Sequence, residues 1–182
     1  MQQLANLSDS ELNQRLAHEG LGLQVGPYIY KVKTNLPLVA AGISTLYKNF
    51  NLAEPEAFID YNVAILSKGL LQRLRGQSDF LFDSTNPFDS IPTGQAYAFL
   101  EWGMNWCVSL HTNEYLKLHA AAVSRGDHAI IMPGVPGAGK STLCAALGLS
   151  GWRILSDEHA MIPPNTTEVV PLCRPVSLKN ES

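Results

Sequence analysis

Between Tyr28 and Lys33 apolar and basic residues alternate, with Tyr28, Tyr30 and Val32 pointing one way and Lys31 and Lys33 the other. That period of two predicts a strand within 26–35 with one wet face. The alternation returns over 58–66 through Ile59, Tyr61, Val63 and Ile65, and DFLFD (79–83) predicts a shorter strand before the turn cluster STNPFDS. Helical spacing fills the gaps. Residues 8–19 carry a thin stripe of Leu12 and Leu16, with Ser8 and Glu11 set for a capping box and Gly20 as the stop. Residues 36–50 read as a helix that tolerates Pro37 in its first turn. Residues 93–111 place Ala96, Phe99, Leu100, Gly103, Cys107 and Leu110 on one face, and Trp102 and Trp106 extend it, which predicts a largely buried helix. The Trp and Cys side chains there read as core packing, not as a cofactor box.

Further on, two strands are predicted at 116–123 and 128–133, joined by a tight turn at Ser124-Arg125-Gly126-Asp127. A helix follows from Lys140 to about Gly148, then a strand within 151–158, and from Met161 the chain is rich in proline and polar residues. The divisions expected are a helix and linker at 1–24, an α+β portion at 25–112, and a core at 113–182.

Composition narrows the classes. With 182 residues, 46% hydrophobic and 16% charged, the chain can bury a proper core. A net charge of −3 offers no basic face for nucleic acid. Cys107, Cys144 and Cys173 stand far apart, in no metal or disulfide spacing, and suit reduced thiols in the cytoplasm. No apolar run approaches a membrane span and the N-terminus has no signal-peptide pattern, so the expectation is a cytoplasmic protein away from membranes.

The chemistry concentrates in Gly134-Val135-Pro136-Gly137-Ala138-Gly139-Lys140-Ser141, which satisfies the pattern G-x-x-x-x-G-K-[ST], followed by Thr142. Glycines let successive amides turn inward and form a nest for anionic oxygens. The helix that starts at Lys140 adds free N–H groups and the positive end of its dipole. The Lys140 ammonium suits outer phosphates, and the Ser141 hydroxyl suits a magnesium ion bridging them. The plain alternative is a glycine-rich turn without a ligand. An apolar strand leading in and a helix leading out favour phosphate binding.

A kinase also needs carboxylates for metal and for the acceptor proton. Asp157-Glu158, at the end of the strand candidate Trp152–Ser156, are the nearest supply if that strand lies parallel to and beside the one entering the loop. Otherwise Asp157 caps a turn. His119, within LKLHAAAV, reads from its neighbours alone as a satisfied core histidine. His18, His111, His128 and His159 read as surface or turn residues, and Arg174 and Lys179 as solvated charges of the tail.

The run LHAAAVSRGDHAIIMPGVPGAGKSTLCAALGLSGWRILSDE resembles the P-loop core of the HPr serine kinase/phosphorylase family. With GPYIYKV, FIDYNV, EWGMNWC and RPVSLKN in order, the chain looks most like the HPr-kinase-related group A proteins. The resemblance implies an α/β fold with a P-loop nucleotide-binding core similar to HPr kinase and phosphoenolpyruvate carboxykinase. It implies ATP and Mg²⁺ as cofactors and a Ser/Thr hydroxyl of a protein or peptide, such as an HPr-like phosphocarrier, as acceptor. Carried over, Asp157 takes the acceptor proton, Lys140 and His119 serve the phosphates, and Ser141 and Glu158 hold the metal. Two departures stand out: Glu158 replaces the family's second Asp, and members of the group continue beyond RPVSLKN, so that the core looks incomplete at its C-terminus. The alternatives are a truncated, non-catalytic ATP-binding module, a core completed by another chain of a homo-oligomer, a sheet extended by the N-terminal strands and, more weakly, an NTP hydrolase that drives movement.

Overall fold

The computed structural model describes residues 2–178 and divides into two compact units, one through Val108 and one from Ser109. Both combine helices with sheet, so the chain is of mixed α/β class.

In the N-terminal unit, α1 (Asp9–Ala17) starts at the expected capping box: Glu11 N donates to Ser8 Oγ at 3.3 Å and Ser8 N donates to the Glu11 carboxylate at 2.9 Å. Leu12 and Leu16 are buried, so the helix is part of this unit's core. The residues taken for a linker form β1 (Leu21–Val25), which hairpins onto β2 (Tyr28–Thr34). Periodicity missed β1 because Gly22 removes one side chain from a five-residue run; a Cβ there would lie 2.8 Å from that of Ala53.

After α2 (Pro37–Leu46), which stops short of the expected residue 50, β3 (Tyr61–Leu66) pairs with β2 in parallel. Asp60 keeps β3 from starting earlier, its carboxylate accepting the Ile29 amide at 2.7 Å, and Phe58 stays 81% exposed. A short helix that alternation did not predict, α3 (Gly69–Leu74), leads into β4 (Gln77–Phe82), antiparallel to β3, and a two-residue β5 (Ile91–Pro92) closes the order β1-β2-β3-β4-β5.

One face of this sheet carries Tyr30, Val32, Val63, Ile65 and Phe80, all buried, and α4 (Ala96–His111) packs on it. Tyr30 Oη donates to the Met104 carbonyl at 3.0 Å, and Gly103 lets the Phe80 ring come close. The expected α4 face holds for Ala96, Leu100, Gly103 and Cys107, but Leu110 is exposed and Trp102 is 47% exposed. Trp102 lies instead against Phe99 of the same helix and Phe88, which the turn cluster supplies and helical periodicity cannot show.

The C-terminal unit is built around β6 (Leu116–Arg125). β7 (His128–Pro133) hairpins onto one side of it through a turn at Gly126, φ 58°. Along the other side run β8 (Arg153–Ser156) and then β9 (His159–Ile162), both antiparallel to β6. β9 corrects the expectation of a polar tail from Met161, since Ala160 and Met161 are fully buried. α5 (Lys140–Leu149) covers one face, where Ala121, Val123 and Cys144 pack with Met132, Leu147 and Ile154. Ala120, Ala122, Leu155 and Ala160 form the core of the opposite face. The alanine run of β6 therefore serves both faces, its small side chains admitting layers on either side.

Candidate functional site

Strand β7 delivers the chain into the glycine-rich loop and α5 takes it out, so the strand–loop–helix setting that the pattern calls for is present. Gly137 and Gly139 adopt φ of 83° and 81°, left-handed values that glycine enters without steric cost. Gly139 is the N-cap of α5, so the amides of Lys140, Ser141 and Thr142 open a helix and have no acceptor within it. They add to the nest at the positive end of the α5 dipole. Val135 to Gly139 are exposed, and Lys140 and Ser141 half-buried. Lys140 Nζ donates to the Gly134 carbonyl at 2.8 Å and lies 3.5 Å from that of Val135. An arriving phosphate oxygen would compete with those two carbonyls for the ammonium protons.

The carboxylates sit differently from the expectation. β8 is parallel to β7, since both run antiparallel to β6, but it is not beside it: β6 lies between them. As expected, Asp157 and Glu158 follow the C-terminal end of β8. Ala122 pairs with Ser156 and His119 with His159, three residues apart on both strands, so Asp157 and Glu158 stand opposite Ala121 and Ala120 in a break between β8 and β9. Buried Ser156 makes the break. Its Oγ accepts the amides of Glu158 at 3.2 Å and His159 at 2.9 Å, which competes with regular pairing. The Glu158 carbonyl still accepts the Ala120 amide at 3.2 Å.

On β6, Ala120 pairs with Pro133 on one side, so His119 occupies the position next to the start of the loop, and on its other side His119 pairs with His159. His119 is no core residue: its side chain is 53% exposed, with Nδ1 3.4 Å from Glu158 Oε1. Asp157 is half-buried. Its Oδ2 accepts the Ser177 amide at 3.3 Å, while Oδ1 is buried with no hydrogen-bond partner among the described residues. That orphaned acceptor fits a hydroxyl donor or a cation. Among the described residues no three His, Cys, Asp or Glu side chains converge as a metal cage. A magnesium ion would then draw most of its oxygens from phosphates and water, which is its usual habit at such sites.

His159 is the residue that the sequence misassigned. It is buried, not at the surface, and Nε2 lies 2.8 Å from Ser109 Oγ. Burial, and then the nearby charges of His119, Arg174 and Lys117, push its pKa down to about 4. The signal for it was the apolar triplet Ala160-Met161-Ile162, masked by the two acidic residues before it. Arg174 is half-buried and acts on His159, so it is not the solvated charge expected; Lys179 lies outside the described residues. His18, His111 and His128 are exposed, as expected. Cys144, fully buried on α5, has its thiol pushed up to about 11 by burial, with the Asp157 charge adding to the effect.

No family model matches the chain, and no curated protein or solved structure matches it. Among the described residues no helix is long and apolar enough to cross a membrane.

Proposed function

We propose that the chain is an ATP-dependent kinase of the HPr serine kinase type, transferring the γ-phosphate to a Ser or Thr hydroxyl of a protein or peptide in the cytoplasm. One juxtaposition supports this reading. The glycine-rich loop leaves β7 beside the His119 position, and Asp157 and Glu158 break the strand on the other side of the same stretch of β6.

In this reading the loop amides and Lys140 hold the β- and γ-phosphates and balance their charge. Asp157 accepts the proton of the acceptor hydroxyl as its oxygen bonds phosphorus and ADP leaves. His119 holds the Glu158 carboxylate in place across their 3.4 Å contact. Ser141 and Glu158 are the residues that would hold Mg²⁺, whose charge would neutralise the phosphate oxygens.

The test is phosphotransfer from radiolabelled ATP to an HPr-type phosphocarrier. Asp157→Asn should bind ATP as the parent does and transfer nothing. Transfer that survives in this variant would show that the base is misassigned. A second reading, a module that binds ATP without turnover, is favoured by β7 itself. Among the described residues this strand pairs only with β6, and His128, Ala129 and Ile130 are exposed along it. Binding by the parent chain without transfer to any acceptor would select that reading.

A further inference from the structure

The face of the N-terminal sheet that points away from α4 holds a cavity of about 520 Å³ between β2, β3 and β4. Its size suits a small organic ligand. Ala64 and Leu81, both buried, pair with each other across β3 and β4 and form an apolar floor, with Leu66 beside them. The rim is basic. Lys31 and Lys33 project from β2 on the face opposite Tyr30 and Val32, two residues apart and so about 7 Å from each other along the strand. Lys68, the residue that caps α3, contributes the third ammonium group. Against these stands Asp83, whose carboxylate is turned toward Asn62 Nδ2 at 3.3 Å. The cavity is thus strongly positive in a chain whose net charge is −3.

Two features show that the lysines are positioned. A Cβ on Gly20 would lie 2.9 Å from Lys31 Cγ and 3.2 Å from Lys33 Cγ, so the missing side chain makes room for both stems to lie on the sheet. None of the three ammonium groups has a carboxylate within ion-pair distance among the described residues. Three cations over an apolar floor, against the single carboxylate of Asp83 and with no ion pair to it, make a receptor for an anion.

We infer that this cavity binds a small organic anion carrying two or more phosphate or carboxylate groups, anchored by Lys31, Lys33 and Lys68. The site is separate from the glycine-rich loop and does not depend on the kinase reading. The same chemistry could be presented by a lipid headgroup, because α3, which follows Lys68, leaves Leu70, Leu71 and Leu74 at least 70% exposed.

The experiment uses the full chain carrying Lys140→Ala, so that phosphate held by the loop is not counted. Calorimetric titrations with inorganic tripolyphosphate and with citrate form one arm. Sedimentation with phosphatidylcholine vesicles, with and without phosphatidylglycerol, forms the other. Saturable binding in either arm is expected, weakening as salt rises and falling about tenfold for each of Lys31→Gln, Lys33→Gln and Lys68→Gln. Lys68 is exposed, so its variant tests the site without risk to the fold. Binding to vesicles alone, with the same lysine dependence, would identify a headgroup as the source of the anion. Failure to bind in both arms, or affinity unchanged in the Lys68→Gln chain, would overturn the inference.

Discussion

Replacing His159 with glutamine should flatten the acid limb of the C-terminal unit's stability. An imidazole that titrates near 6.5 in an unfolded chain is held neutral here down to about 4, chiefly because it is buried in β9 and also because His119, Arg174 and Lys117 are near. As pH falls below 6.5 the unfolded chain takes up the proton first. The stability present above 6.5 is therefore lost progressively through the window down to about 4, where the folded form is itself protonated and the loss levels off. The interval corresponds to roughly 3 kcal/mol. Glutamine keeps a polar group for Ser109 Oγ, which lies 2.8 Å from His159 Nε2, but carries no proton equilibrium. Hydrogen exchange at the Ala120–Val123 amides, corrected for the intrinsic rate, reads the opening of this sheet. Between pH 7 and pH 4 protection should fall roughly a hundredfold more in the parent than in His159→Gln. Equal losses in the two proteins would show that His159 is not held neutral, and the account of the break between β8 and β9 would need revision.

Other outcomes follow from particular contacts. Gly103→Ala puts a Cβ 2.3 Å from the fully packed Phe80 ring, so overpacking of roughly 1–3 kcal/mol should outweigh a helix-propensity gain of about 1 kcal/mol. Urea denaturation of the variant should show lower stability, and higher stability would refute the packing of α4 on β4. Ser156→Ala removes the acceptor of two amides and should cost about 1–3 kcal/mol. It should also move the Glu158 and His159 backbone resonances; unmoved resonances would mean that Ser156 does not set the break. Of the three cysteines, Cys107 and Cys144 are buried and Cys173 exposed, so native-state iodoacetamide should label Cys173 first. Mass spectrometry showing Cys144 modified at the same rate would contradict its burial against β6.

Much of the fold was legible where the side-chain period was intact. β2 alternates cleanly because one face meets α4 and the other meets water. The capping box announced α1 through two residue types alone. The misses share a physical cause: a polar or small residue interrupts a pattern for a local reason. Gly22 hid β1, and Asp157-Glu158 hid β9, since Ser156 lets two acidic residues sit in the middle of a strand path. Strand adjacency lay beyond local patterns altogether. Nothing in RILSDE shows that β6 intervenes between β8 and β7, because pairing is decided by the alanine run of a distant segment. The strand–loop–helix setting of the glycine-rich loop and its left-handed glycines were readable, as these backbone values depend on residues within it. Whether His119 faces water or core depended on its neighbour across the sheet, and Glu158 was recognisable only as a carboxylate and not as its partner.

The most direct test of the proposed phosphate-binding site is a calorimetric titration of the purified chain with ATP and Mg²⁺ beside Lys140→Ala. The account predicts saturable binding by the parent that the variant loses, because the ammonium now held by the Gly134 carbonyl would be transferred to phosphate oxygens. Equal affinity in the two proteins, or heat from neither, would contradict it.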